Sequence, residues 1–256
     1  MSERKKFVAG NWKMHTNVDE GVALVKELRE RLAGVPVGSG VRVAVAPPFT
    51  GIHPVAQALA GSGIEVAGQD LHWEEKGAFT GDISAGMLLG AGASCVIIGH
   101  SERRQYFGET DETVRKRTKA ALEAGLQPIV CVGESLEDRE AGRTMEVVGG
   151  QLRGGLAAFS GDELERLVIA YEPVWAIGTG KTATTEQAQE VHAAIRGILR
   201  ELGGAVAERI AIQYGGSVKP DNAAQLLSQP DVDGALVGGA SLTADSFAAI
   251  IRAAAR

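Results

Sequence analysis

Short apolar runs alternate with longer amphipathic stretches along most of the chain. In the stretch Val18–Leu32, apolar residues recur at spacings of three and four, which places them on one face of a predicted helix: Val22, Val25, Leu28 and Leu32. Stretches of this kind predict helices at Val18–Leu32, Thr110–Ala124, Thr144–Phe159, Thr185–Leu202, Ala244–Ala255 and, shorter, Asp221–Leu227. The alternation is typical of chains in which each strand is followed by a crossover helix.

The apolar runs between these helices are short and rich in β-branched residues. They predict strands at Lys6–Gly10, Val41–Ala46, Ile64–Gly68, Cys95–Gly99, Pro128–Val132, Leu167–Tyr171, Ile210–Tyr214 and Gly234–Val237. Continuous apolar strands are typical of parallel sheets that are covered on both faces. We therefore expect an α/β fold, a single (β/α)8 barrel domain over residues 1–256 with eight parallel strands ringed by helices. A doubly wound open sheet is the alternative, because the same periodicity fits both.

Composition and charge exclude several classes of function. The 256 residues carry 26 Lys and Arg against 32 Asp and Glu, a net charge of −6, so we expect no nucleic-acid partner. The cysteines Cys95 and Cys131 are too few for a disulfide framework, and we interpret both as core residues. The chargeless stretch 84–101 contains four glycines and predicts a helix, a turn and a strand, not a membrane span. No signal-peptide pattern is found, and we expect a cytoplasmic protein.

Two partial motifs for nucleotide binding fail on spacing. The run Gly180-Lys181-Thr182 resembles the end of a phosphate-binding loop, but Trp175 stands where that motif needs its first glycine. The run Gly178–Ala183 matches a dinucleotide-binding pattern, but it lies late in the chain instead of in an early strand–helix unit. The five histidines show no metal-ligand spacing. We expect no metal and no organic cofactor.

Polar residues and glycine pairs follow several predicted strands at their carboxyl ends, where the chemistry of a parallel barrel is located. They are Asn11 and Lys13, His100, Glu172, Gly215–Ser217 and Gly238–Gly239. Taken singly, each is more often a surface, structural or turn residue, but their position at the same end of the strands favours a site. Glycine turns expose backbone N–H groups that bind phosphate, and Lys13 adds positive charge. We therefore predict a small phosphorylated anion as ligand, with Glu172 and His100 moving a proton beside a carbonyl.

Five motifs resemble triosephosphate isomerases: AGNWKM at 9–14, GHSERR at 99–104, AYEPVWAIGTGK at 170–181, YGGS at 214–217 and LVGGA at 236–240. The likeness extends from residue 6 to the C-terminal helix. It implies an isomerase of glycolysis and gluconeogenesis that interconverts dihydroxyacetone phosphate and D-glyceraldehyde 3-phosphate through an enediolate. By this resemblance Glu172 is the base, His100 a neutral imidazole at the carbonyl and Lys13 the cation that stabilises the enediolate. By the same resemblance Asn11 lies beside Lys13, and Glu102 corresponds to the family's carboxylate near Lys13 and His100.

The resemblance also implies a phosphate site and a closing lid. Backbone N–H groups around Gly178, Ser217, Gly238 and Gly239 are expected to hold the phosphate. The implied lid consists of Pro173, Val174, Trp175, Ala176, Ile177, Gly178, Thr179, Gly180, Lys181, Thr182 and Ala183. Its expected task is to exclude water, because an exposed enediolate phosphate eliminates phosphate.

The resemblance further implies a homodimer through the loop Gln69–Ser84, which inserts into the partner subunit beside its Asn11/Lys13 turn. In this loop Asp82 stands where the family more often has Glu, so one supporting contact differs. Two other functions stay open at this point. One is a phosphate-binding barrel that has lost or changed its chemistry, and the other is a barrel isomerase for a larger sugar phosphate.

Overall fold

The computed structural model describes residues 4–177 and 182–255. The strands are β1 Phe7–Asn11, β2 Arg42–Ala46, β3 Glu65–Gly68, β4 Cys95–Ile98, β5 Gln127–Val132, β6 Val168–Tyr171, β7 Ala211–Tyr214 and β8 Gly234–Val237. The helices are α1 Val18–Arg31, α2 Phe49–Ala58, α3 Ala85–Gly90, α4 Ser101–Phe107, α5 Asp111–Ala124, α6 Leu136–Glu140, α7 Thr144–Leu156, α8 Gly161–Glu165, α9 Thr185–Gly203, α10 Ala223–Leu227 and α11 Ala244–Ala254.

The eight strands form a closed parallel barrel in chain order. Each strand pairs with the next one, and β1 closes the barrel by pairing with β8, so that Ala9 lies between Ala44 and Leu236. This arrangement confirms the predicted (β/α)8 barrel and excludes the doubly wound sheet. Each predicted strand is present with its ends shifted by no more than one residue.

Alternate strand residues point into the barrel and onto the helices, which gives two apolar layers. The inner layer includes Phe7, Ala9, Cys95 and Cys131, while the larger outer layer fills the space between strands and helices. Both cysteines are free and buried, in agreement with their interpretation as core residues. Burial raises the pKa of Cys95 to about 12.

Local sequence signals set the bounds of most helices. Helix α1 begins after Asn17, whose side chain accepts the N–H of Glu20, and α5 ends at Gly125, which adopts the left-handed conformation. The predicted helix Thr144–Phe159 ends earlier, at Leu156, and the predicted helix Asp221–Leu227 starts later, at Ala223.

Helix α2 is not among the predicted helices, and its interior contains Pro54, which cannot donate a backbone hydrogen bond. The stretch 84–101 contains α3, a glycine-rich turn and β4, as its pattern predicts. Within the part of the chain that is described, no helix combines the length and apolarity needed to cross a membrane.

Candidate active site

A cavity of about 620 Å³ opens at the carboxyl ends of the barrel strands. It brings together every described residue that the sequence predicts for the substrate site. These residues are Asn11, Lys13, His100, Glu172, Ser217, Gly238 and Gly239. Gly178, the remaining predicted substrate-binding residue, lies outside the described residues.

The turn after β1 holds Lys13 in an unusual backbone conformation. Lys13 has a φ of 52°, in the left-handed region that few residues with a side chain adopt. Two side-chain amides hold this conformation: the Asn11 Oδ1 atom accepts the Lys13 N–H at 3.0 Å, and Gln69 Nε2 donates to the Lys13 carbonyl at 2.7 Å. Gln69 also donates to Ala46 at 2.8 Å, so it joins the ends of β1, β2 and β3. Sequence reasoning missed this role of Gln69.

The Lys13 side chain extends across the cavity floor between two other elements. Its Nζ atom donates to Glu102 Oε1 at 2.6 Å, and its stem passes close to Gly238, where an added Cβ would lie 3.7 Å from Lys13 Cε. Glu102 thus lies beside both Lys13 and His100, as the resemblance implies. The cation is held between the two sides of the cavity, where it can reach a bound anion.

His100 caps helix α4 with its own side chain. The turn before it needs Gly99, whose φ is 70° and whose added Cβ would lie 2.7 Å from Val114. The Nδ1 atom of His100 accepts the backbone N–H of Glu102 at 3.2 Å. An acceptor at Nδ1 carries no proton, so the neutral imidazole of His100 has its hydrogen on Nε2.

The Nε2 atom of His100 faces the buried carboxylate of Glu172. The distance from Nε2 to Glu172 Oε1 is 2.8 Å, and Glu172 Oε2 accepts the backbone N–H of Ser101 at 2.9 Å. Burial lowers the pKa of His100, but the adjacent Glu172 carboxylate raises it by more, so that it lies above its ordinary value. Burial raises the pKa of Glu172, and the contacts with His100 and Ser101 outweigh it and lower that pKa. In this arrangement Glu172 favours the protonated form of His100, against the neutral imidazole that the resemblance implies.

Glycines on both sides bring other backbone segments against Glu172. An added Cβ at Gly133 would lie 1.7 Å from the Glu172 carbonyl oxygen, and one at Gly215 would lie 2.9 Å from Glu172 Cγ. The Glu172 N–H donates to the Val132 carbonyl at 2.7 Å. The ends of β5 and β7 therefore fix the position of the Glu172 backbone.

The glycine turns after β7 and β8 form the opposite wall of the cavity. The Gly238 carbonyl accepts the Ser241 N–H at 2.8 Å and the Ser241 hydroxyl at 2.7 Å. Because a trans peptide directs its C=O and N–H to opposite sides, the N–H of Gly239 points away from Ser241. Gly239 lines the cavity and opens a short 3₁₀ helix, Gly239–Leu242, an arrangement suited to an anion. On the same wall, the Ser217 carbonyl accepts the Asn222 amide at 3.0 Å.

The first part of the predicted lid packs against a buried carboxylate. The indole Nε1 of Trp175 donates to Glu134 Oε1 at 2.9 Å, and the Tyr171 hydroxyl donates to the same atom at 3.1 Å. The Arg139 guanidinium lies 5.3 Å from the centre of the Trp175 ring. Sequence reasoning missed Glu134, which is fully buried next to the lid.

The other lid residues are placed as follows. Pro173 leads from β6 into a short 3₁₀ turn formed by Val174, Trp175 and Ala176, and both Ala176 and Ile177 line the cavity. Gly178, Thr179, Gly180 and Lys181 lie outside the described residues. Beyond them Thr182 is exposed and Ala183 is buried.

No group of three or more His, Cys, Asp or Glu residues in the described part of the chain is arranged to hold a metal ion.

Comparison with known proteins gives one consistent result. The family model "Triosephosphate isomerase" matches residues 6–254. A triosephosphate isomerase of Citrifermentans bemidjiense is 57% identical over 250 residues, which are 97% of this chain and 98% of the relative. One of Moorella thermoacetica is 58% identical over 248 residues, with the same coverage. Among solved structures, triosephosphate isomerase from Bartonella henselae matches with a TM-score of 0.87 at 39% identity, covering 97% of this chain and 98% of that one.

Proposed function

The chain belongs to the triosephosphate isomerase family, and on that premise we propose that Glu172, His100 and Lys13 carry out its reaction. The enzyme interconverts dihydroxyacetone phosphate and D-glyceraldehyde 3-phosphate by proton transfer through an enediolate, in glycolysis and gluconeogenesis. The single observation that carries the assignment of roles is the contact between His100 Nε2 and Glu172 Oε1, 2.8 Å long, in the cavity that Lys13 also lines.

Glu172 is the base in this proposal. Its lowered pKa keeps the carboxylate ionised at neutral pH, and its side chain lines the cavity. The carboxylate accepts a proton from the carbon next to the carbonyl, and the electron pair of that C–H bond forms the enediolate. The same carboxyl group then returns the proton to the neighbouring carbon. Because its oxygens contact His100 and Ser101 before substrate binds, Glu172 has to turn towards the substrate first.

His100 and Lys13 act on the oxygen atoms. With Nδ1 occupied by the Glu102 N–H, His100 presents Nε2–H to the carbonyl oxygen and moves protons between the two oxygens of the enediolate. The Lys13 ammonium stabilises the negative charge that develops there. Asn11 and Gln69 hold the Lys13 backbone in its left-handed conformation, so the position of the cation is fixed before the substrate arrives.

The phosphate group occupies the wall formed by Ser217, Gly238 and Gly239 in this proposal, with Gly178 of the lid closing over it. The support is the position of the first three residues in the cavity and the Gly239 N–H, which points away from Ser241. The lid, from Pro173 to Ala183, excludes water so that the enediolate is reprotonated and does not lose phosphate. No cofactor has a role in this reaction scheme.

The test compares the wild-type enzyme with Glu172→Gln in the conversion of glyceraldehyde 3-phosphate to dihydroxyacetone phosphate. Gln keeps the volume of the side chain but is not a base at neutral pH, so we expect kcat to fall by about a thousandfold or more. Glu112→Gln, a change at an exposed carboxylate on α5, is the matched control and should keep wild-type kcat. A folded Glu172→Gln variant with wild-type kcat would exclude Glu172 as the base.

We also propose that the enzyme is a homodimer that forms through the loop Gln69–Ser84. Two large apolar side chains support this: Phe79 in the loop is 42% exposed, and Met14 beside Lys13 is 94% exposed. A second cavity, of about 250 Å³, borders Met14 and is lined by Lys13, Met14 and Asp82 among others. Insertion of the partner's loop into this cavity would cover both side chains. Sedimentation should show a dimer for the wild type and a monomer for Phe79→Asp, and a monomeric wild type would contradict the proposal.

We propose further that residues 1–256 act as one catalytic domain in the cytoplasm. The barrel from β1 to α11 supports the first statement, because the chain closes on itself within one set of strands. The role of the family in glycolysis supports the second. Calorimetry should show one unfolding transition, and fractionation of the source cells should place the activity in the cytoplasmic fraction. Two resolved transitions, or activity only in another fraction, would contradict the respective statement.

A further inference from the structure

A glutamine on helix α7 holds the backbone at the carboxyl end of β5. The Gln151 Oε1 atom accepts the N–H of Gly133 at 2.8 Å, and Gln151 Nε2 donates to the carbonyl of the same residue at 3.1 Å. The side-chain amide thus pairs with both polar groups of one residue, as a neighbouring strand would. Gly133 follows the last residue of β5, where the strand's own backbone pairing ends.

The residue that Gln151 holds lies directly against the proposed base. A Cβ added to Gly133 would lie 1.7 Å from the Glu172 carbonyl oxygen and 3.2 Å from Glu172 Cα, so only a hydrogen fits at that position. The residue before Gly133, Val132, accepts the Glu172 N–H at 2.7 Å. A shift of the Gly133 peptide therefore changes the position of the Glu172 backbone, and the carboxylate moves with it.

Packing alone does not hold Gly133 in place. A cavity of about 440 Å³ lies on the side of Glu172 that faces Ser101 and α7, and Gly133, Gln151 and Glu172 all line it. A backbone segment that borders a cavity lacks close neighbours on that side, so its position depends on its hydrogen bonds. The two bonds to Gln151 are side-chain contacts from a helix that packs on the barrel, with Val148 and Leu152 buried on either side.

We propose that Gln151 is a positioning residue for catalysis, because its amide fixes Gly133 and, through Gly133, the catalytic base Glu172. The proposal rests on the role of Glu172 proposed above. Gln151 has no contact with the substrate in this scheme. Its contribution is to keep the carboxylate at the distance from the substrate carbon at which proton transfer is fast.

The experiment compares Gln151→Leu with a matched control, Gln189→Leu. Gln189 on α9 makes the same kind of paired contact with Asp231: Nε2 donates to Oδ2 at 2.8 Å, and Oε1 accepts the Asp231 N–H at 3.0 Å. Both variants lose two hydrogen bonds, so we expect similar decreases in the thermal midpoint. Gln151→Leu should also lower kcat by about tenfold with KM changed less than about twofold, because misplacement of the base by a fraction of an ångström affects the chemical step. Gln189→Leu should keep wild-type kcat.

A second variant, Gln151→Glu, separates positioning from stability. When the introduced carboxyl group is ionised, it accepts the Gly133 N–H but repels the Gly133 carbonyl, whereas its protonated form can donate to that carbonyl. The ratio of variant to wild-type kcat should therefore rise as the pH falls through the pKa of the introduced carboxyl group. A purely structural role would not produce this pH dependence.

Two results would overturn the proposal: wild-type kcat in Gln151→Leu, or the same loss of kcat in Gln151→Leu and Gln189→Leu. A flat ratio of kcat across pH for Gln151→Glu would also count against it. Failure of the underlying function is recognised separately, because Glu172→Gln would then keep its activity. An inactive Glu172→Gln together with a fully active Gln151→Leu would leave Glu172 as the base and exclude the role of Gln151.

Discussion

A single methyl group at position 133 should impair catalysis more than stability. In the folded enzyme an added Cβ at Gly133 would lie 1.7 Å from the Glu172 carbonyl oxygen and 2.6 Å from its carbonyl carbon. Ordinary van der Waals contact begins at about 3.4 Å, so the two backbone segments have to separate by about 1.7 Å. Backbone on both sides of this contact leaves no flexible side chain to move aside.

The size of the expected effect follows from this separation. A displacement of about 1 Å at a catalytic group can lower the rate by about a hundredfold, so Gly133→Ala should lower kcat by about a hundredfold or more. Overpacking of this kind destabilises a protein by about 1–3 kcal/mol. A 256-residue domain survives such a loss, and the variant should remain folded at room temperature.

The assay measures kcat and the thermal midpoint for Gly133→Ala beside a control, Gly150→Ala. Gly150 lies on α7, and an added Cβ there meets no heavy atom within 4 Å. The control should keep wild-type kcat and gain up to about 1 kcal/mol of stability, because Ala favours the helix. A folded Gly133→Ala variant with kcat within about twofold of wild type would show instead that Glu172 tolerates the shift and that Gly133 does not control its position.

Three further predictions concern charged groups. Glu172→Gln should lower the pKa of His100, because the carboxylate raises that pKa in the wild type. An NMR titration that finds the same pKa for the His100 ring in both proteins would contradict the contact between His100 and Glu172. Burial lowers the pKa of His192 to about 4. Between this value and the ordinary pKa of about 6.5, the unfolded chain binds a proton that the native state does not. The free energy of unfolding should therefore fall by up to about 3 kcal/mol as the pH drops from about 6.5 to about 4. Urea titrations of wild type and His192→Gln should show a flatter pH dependence for the variant, and equal slopes would exclude His192 as the cause. Lys13→Met should raise KM and lower kcat together, because in the proposed scheme the cation acts on both the bound anion and the enediolate. An unchanged KM in steady-state assays would exclude the first effect.

The barrel and the main site residues are predictable from the sequence because both follow from local patterns. Each predicted strand is an apolar run bounded by polar residues or glycine. Each strand of the barrel begins and ends within one residue of the predicted strand. Lys13, His100 and Glu172 stand out because each follows an apolar strand at the end where the strands of a parallel barrel carry their chemistry. The cavity contains all three.

The residues that hold this site in place give no such signal. Gln69 and Gln151 are common polar residues, and their roles depend on contacts with carbonyl groups that are distant in the chain or on another element. Glu134 comes just beyond the end of β5, like an ordinary surface carboxylate, yet the fold buries it completely beside Tyr171 and Trp175. Helix α2 is the opposite case. Pro54 in its interior is a strong local signal against a helix, but packing against the barrel overrides that signal.

Gln69 and Gln151 support the site because of where its residues lie in the barrel. Catalytic backbone in a parallel barrel lies just past the last pair of each strand, where the ladder no longer supplies hydrogen bonds. Lys13 and Gly133 both lie at such positions, and each is held by a side-chain amide from another element. Gln151 uses both the donor and the acceptor of its amide on Gly133, as a peptide group in a strand would, whereas Gln69 uses its Nε2 donor on the carbonyl groups of Lys13 and Ala46. An ammonium group has no acceptor for the Gly133 N–H, so it cannot replace the Gln151 amide, and loss of that amide should lower kcat as well as stability.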